Sequence, residues 1–153
     1  MESSQNHLSA HSLATVGLLF YFVALFLPAF CLEHKSCSDW PGFDVLAAGW
    51  IEALFVRDVG PFVAFAWYAN PVFAAATILL FRKRYYAATV CAVLATLMAA
   101  TFLLGKKVLV SESGDASAIR DYGIGYLIWL MSMAMLCAGA IIGMMGQRSR
   151  APE

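Results

Sequence analysis

Few side chains in this sequence can do chemistry, and their spacing narrows what that chemistry is. Cys31 and Cys37 stand six apart in the run Cys31-Leu32-Glu33-His34-Lys35-Ser36-Cys37. In an oxidising compartment such a pair closes a small disulfide ring. Read as chemistry, it is a thiol–disulfide exchange pair. Read as structure, it is a staple or two unpaired thiols. The spacing is not C-x-x-C, and the polar loop at 111–121 holds no partner cysteine, so the structural readings lead. His7 and His11 lie four apart, on one face of any helix there. No third ligand is near in sequence, so residues 1–12 read as a frayed, solvated terminus and no metal is expected. Asn70-Pro71 interrupts an apolar run. Pro71 has no N–H for the carbonyl of Trp67, so the helix must bend there and expose a polar group. The Asn70 amide can satisfy that carbonyl or bond to a neighbouring helix. A ligand or ion site at a broken helix is the functional alternative. With no charged residue beside it, a packed kink is the expectation.

Lipid is the solvent the elements around these residues are built for. Apolar residues make up 61% of the chain, against about 45–50% in soluble domains, and charged residues 13%, about half the norm. The 153 residues suffice for one domain. A formal net charge of zero argues against nucleic acid as a partner. The expected fold is all-α: four transmembrane helices in a bundle, spanning about 13–32, 61–81, 86–104 and 122–146. Each run is long enough to cross a bilayer core. The first is read as a retained helix rather than a signal peptide, because no positively charged region precedes it. Pro28 should kink or end it.

A fifth, shorter helix is expected in the first exposed loop, at about 43–56. Trp40-Pro41-Gly42 signals a turn. Beyond it Phe43, Leu46, Ala47, Trp50, Ile51, Leu54 and Phe55 recur at helical spacing and form one apolar face. The segment is too short to cross. It reads as an interfacial helix, marked by Phe43, Leu46, Trp50 and Leu54, lying on lipid headgroups or on the bundle. Binding a partner is the sharper reading. In the third span Ala88, Ala92, Ala95 and Ala99 form a small-residue stripe that permits close approach of another helix. In the fourth, Gly139 and Gly143 make a G-x-x-x-G pair, and Tyr122, Tyr126 and Trp129 suit an interfacial aromatic belt. The methionines at 131, 133, 135, 144 and 145 keep no single face, which suits packing rather than a soft-metal track. Residues 111–121 read as a solvated connector.

Arg82, Lys83 and Arg84 fix the expected topology. They crowd one tight turn between two spans, and such density favours the cytoplasmic side. Both termini then lie in the cytoplasm. The raw count does not decide it, since five basic residues (82, 83, 84, 148, 150) fall on that side and five (35, 57, 106, 107, 120) on the other.

Several phrases, in order, carry a resemblance: Leu27-Pro28, Pro41-Gly42-Phe43, Leu46-Ala47-Ala48-Gly49-Trp50, Ala66-Trp67-Tyr68-Ala69-Asn70-Pro71, the Arg82–Arg84 turn and Gly123-Ile124-Gly125-Tyr126-Leu127-Ile128-Trp129. Over most of residues 20–145 the chain resembles a group of small, uncharacterised four-helix inner-membrane proteins of bacteria. The resemblance implies an inner-membrane location and brings no activity or catalytic residue with it. The Cys31/Cys37 pair is not part of the shared pattern.

Function is bounded by what is missing. No Asp, Glu, Lys, Arg or His falls inside the four spans, where ion-coupled transporters and proton relays usually need them. Haem ligation would need histidines there too, so no cofactor is expected. No G-x-S-x-G elbow frames a nucleophile. The leading expectation is a non-enzymatic accessory, assembly or immunity-type protein whose partners are the bilayer and another membrane protein or a second copy. A small channel or transporter using the Asn70-Pro71 break is the alternative, followed by a thiol–disulfide protein using Cys31 and Cys37.

Overall fold

The computed structural model describes residues 2–33, 40–55, 61–109 and 116–149. In chain order the elements are α1 (Glu2–Leu25), β1 (Phe30–Leu32), α2 (Gly42–Phe55), α3 (Pro61–Phe81), α4 (Tyr85–Ala100), a 3₁₀ turn (Thr101–Leu104), β2 (Lys107–Leu109), β3 (Ala116–Tyr122) and α5 (Ile124–Arg148). The molecule is mostly helical. Three stretches, Leu8–Leu25, Tyr85–Leu104 and Ile124–Arg148, are long and apolar enough to cross a membrane, and Phe65–Phe81 is a shorter apolar helix.

The long helices form a bundle in which α1 lies beside α5, α5 beside α4 and α4 beside α3, while α3 touches α1 only lightly. Small side chains make the close contacts. Ala88, Ala92, Ala95 and Ala99 are all fully buried, with Ala69, Ala76 and Leu80 in the same core. Along α1, Ala10, Ala14 and Gly17 do the same job against α5. A Cβ on Gly17 would stand 3.1 Å from the Ser132 carbonyl, and one on Gly139 would stand 2.9 Å from that of Ala10. Thr89, Thr96 and Thr101 return their hydroxyls to the carbonyls of Tyr85, Ala92 and Met98, which hides polar atoms inside apolar helices.

One end of the bundle gathers the α3–α4 turn, the start of α1 and the end of α5. His11 stacks on Phe81 with ring centroids 5.5 Å apart, and a Cβ on Gly143 would meet the Tyr85 ring. The turn itself closes in a Schellman arrangement: Lys83 N donates to Leu80 O (2.8 Å) and Arg84 N to Leu79 O (2.9 Å). Lys83 takes the left-handed position, φ 60°, where glycine is the usual choice.

The opposite end carries α2 and a three-stranded sheet in the order β1-β3-β2, antiparallel throughout. Phe30 pairs with Tyr122 and Lys107 with Ala118. Three sequence expectations are corrected here. The first long helix covers 2–25 rather than 13–32: α1 already holds the terminus that reads as frayed, and Pro28 sits in a bridge to Pro41. Residues 30–32 are β1, a strand too short to show alternation, with all three side chains buried. Residues 116–121 of the supposed connector, together with Tyr122, are the central strand β3, because its partners come from distant parts of the chain. In the third span the helix is α to Ala100 and tightens to 3₁₀ over Thr101–Leu104.

Candidate functional site

Asn70 is the joint of the bundle. Its Nδ2 donates to the Trp67 carbonyl at 2.9 Å, the acceptor that Pro71 leaves without its helical partner. Its Oδ1 accepts from Tyr21 Oη of α1 at 3.1 Å and from Trp129 Nε1 of α5 at 3.0 Å. One amide thus ties three helices together at the break. Both lone pairs of Oδ1 are taken. Tyr21 also stacks on Phe73, centroids 5.0 Å apart, so a single side chain bridges the sparse seam between α1 and α3.

Helix α2 meets the bundle through a face that the apolar periodicity does not mark. Gly42, Val45, Leu46 and Gly49 turn inward, while Phe43 and Trp50 are 57% and 43% exposed. Leu46 faces in and its carbonyl accepts from Trp67 Nε1 at 2.9 Å. Glycine decides the seating: a Cβ on Gly49 would stand 2.5 Å from the Trp67 ring, and one on Gly42 would stand 2.5 Å from the Ala24 carbonyl. The side chain of Leu54 lies outside the described residues.

Aromatic rings fill the space between α2, the sheet and the helix ends. Phe30 packs on Trp40 and Phe102, and Phe102 on Tyr122 and Tyr126, with centroids 5.3 to 5.9 Å apart. Tyr126 Oη donates to Ala99 O at 3.1 Å and Tyr122 Oη to Leu103 O at 3.0 Å. These bonds satisfy carbonyls that the end of α4 would leave open. The expected aromatic belt is therefore corrected: Tyr126 is buried with its hydroxyl on the Ala99 carbonyl of α4, and Trp129 turns to Asn70 of α3. On the opposite side, Gly123 N and Gly125 N donate to the carbonyls of Ala29 and Pro28 at 2.9 Å, and Gly42 N to that of Leu27 at 3.0 Å. Side chains at 123 and 125 would strike this backbone.

A cavity of about 90 Å³ remains in the middle, walled by α2, the end of α1, the first half of α3 and the start of α5. Gly42, Leu46, Trp67 and Gly125 are among the residues that border it. Its walls are mostly apolar, with Ala24, Val45, Ala66 and Trp67 among them.

Cys31 is disulfide-bonded and buried in β1, at the point where the β1–β3 register slips. Cys37 lies outside the described residues. Cys91 and Cys137 are free thiols, half-buried in α4 and α5. Among the described residues no three His, Cys, Asp or Glu gather at metal-binding distance. Arg82, Lys83 and Arg84 are all exposed at the far end from the cavity. No protein-family model matches the chain, and no curated protein or solved structure is detectably similar to it.

Proposed function

We propose that this chain is a four-span inner-membrane protein, with both termini in the cytoplasm, that works by association as an accessory or assembly subunit. The observation that carries the reading is the seating of α2. Its glycine face is turned to the bundle, while Phe43 and Trp50 on the other face are exposed at the surface of the chain. The occupant that suits it is an apolar transmembrane helix of another membrane protein, met at the level where α2 lies across the bundle. As the fourth span, α3 has 21 residues, roughly 31 Å of helix and enough for a hydrocarbon core. Having the basic turn and both termini at one end supports the cytoplasmic placement.

The committed hydrogen bonds of Asn70 speak for cohesion rather than transport at the Pro71 break. A disulfide on a buried cysteine speaks for a staple rather than an exchange centre, which needs an accessible thiolate. Tagged protein extracted in mild detergent from its own host, followed by native mass spectrometry, tests the association. A stoichiometric membrane-protein partner that is lost when Phe43 and Trp50 are both changed to Ser supports it. A chain that runs alone, or a partner indifferent to that double substitution, overturns it.

A further inference from the structure

The cavity under α2 is walled by polar atoms that are already occupied and by apolar atoms that are not. Trp67, Asn70, Tyr126 and Trp129 line it, and Trp67 Nε1, Asn70 Oδ1, Tyr126 Oη and Trp129 Nε1 are each held in a hydrogen bond inside the protein. A ligand that needs hydrogen bonds finds little to meet there. Water, which needs two to four polar partners, is a poor filler too. The rest of the wall is small or aliphatic, including Ala24, Leu25, Val45 and Ala66.

Access comes from the side. The seam between α1 and α3 is thin, bridged at mid-height by Tyr21 through its ring and its hydroxyl. One turn above that bridge, Leu25 on α1 and Trp67 on α3 are both half-exposed and both border the cavity. The neighbouring turns present Phe22, Phe26 and Phe65 to the outside.

We infer that the cavity holds the terminal segment of one membrane-lipid acyl chain, which enters between α1 and α3 beneath α2. The inference rests on the reading of this chain as a membrane bundle. The apolar lining and the membrane setting select the ligand class. At about 90 Å³ the space matches the last few methylenes of a linear hydrocarbon, and no headgroup contact is required inside. The bound chain lies against the inner face of α2, beside Val45 and Leu46.

The test is photolabelling of the full-length protein in phosphatidylcholine vesicles that carry a diazirine at the acyl-chain end, with adducts mapped by mass spectrometry. Label is expected on Leu25, Val45 and Trp67 as well as on exposed faces such as Leu97. Filling the cavity by Val45→Trp from α2, or by Ala66→Leu from α3, should remove the label from the first group and leave Leu97 labelled. The two variants come from opposite walls, so a folding failure in one leaves the other to decide. Label confined to the exposed faces, or unchanged in the filled variants, overturns the inference while the membrane reading stands. Release of the wild-type chain from the vesicles by alkaline carbonate overturns the membrane reading itself and the inference with it.

Discussion

The two ends of the bundle are packed on different principles. Near the basic turn, small residues set the spacing: Gly139 admits the Ala10 carbonyl, Gly143 admits the Tyr85 ring, and Ala88 and Ala92 of α4 are fully buried. Near the sheet, rings meet rings, hydroxyls and indoles are hydrogen-bonded, and a cavity remains. Small-residue packing lets helices approach closely and hold without polar bonds. Aromatic packing fills irregular space and must satisfy each polar tip as it is buried. The alanines of the turn end are therefore sensitive to added volume, and the sheet end is sensitive to lost hydrogen bonds as well as to side chains at Gly42, Gly49, Gly123 and Gly125.

The largest effect should come where the two regimes meet. Asn70→Leu leaves the Trp67 carbonyl, the Tyr21 hydroxyl and the Trp129 indole without their partner. Thermal unfolding in detergent should show a loss on the order of 3 kcal/mol. A loss below a few tenths would mean that the break is held by packing alone. Next, Ala88→Leu adds volume at the tight end and should cost roughly 2 kcal/mol. Val45→Leu adds less volume at the loose end and should be close to neutral in the same assay. Equal costs for the two would erase the contrast. Tyr126→Phe removes one buried bond to Ala99 O without changing shape, for a loss of about 1 kcal/mol. Smallest of all, Lys83→Gly relieves the left-handed strain of the turn and should raise stability by about 0.5 kcal/mol. It also removes one of the charges on which the proposed topology rests.

How far each region could be read in advance follows the same division. The alanine stripe of α4 was legible from local spacing; Asn70 was legible as a partner for either the Trp67 carbonyl or a neighbouring helix, because of what Pro71 removes, and it makes both bonds. The sheet was not legible. Phe30-Cys31-Leu32 is three residues long, and Ala116–Tyr122 alternates weakly, so the strands exist only by pairing across the chain. The inward face of α2 was hidden for a related reason. Hydrophobic periodicity marks large residues, whereas Gly42 and Gly49 seat this helix by lacking side chains. Tyr126 and Trp129 looked like surface anchors because capping the carbonyl of Ala99 and bonding Asn70 are tertiary facts.

The central claim is that the ends face different compartments, with the basic turn and termini in the cytoplasm and the sheet outside. Single cysteines at Ser113 and Ser149, in a chain carrying Cys91→Ala and Cys137→Ala, test it with a membrane-impermeant maleimide on intact cells. Labelling at 113 and protection at 149 until the cells are opened is the expected result. Labelling at 149 with protection at 113 would invert the topology and contradict the assignment of the sheet end as the outward-facing one.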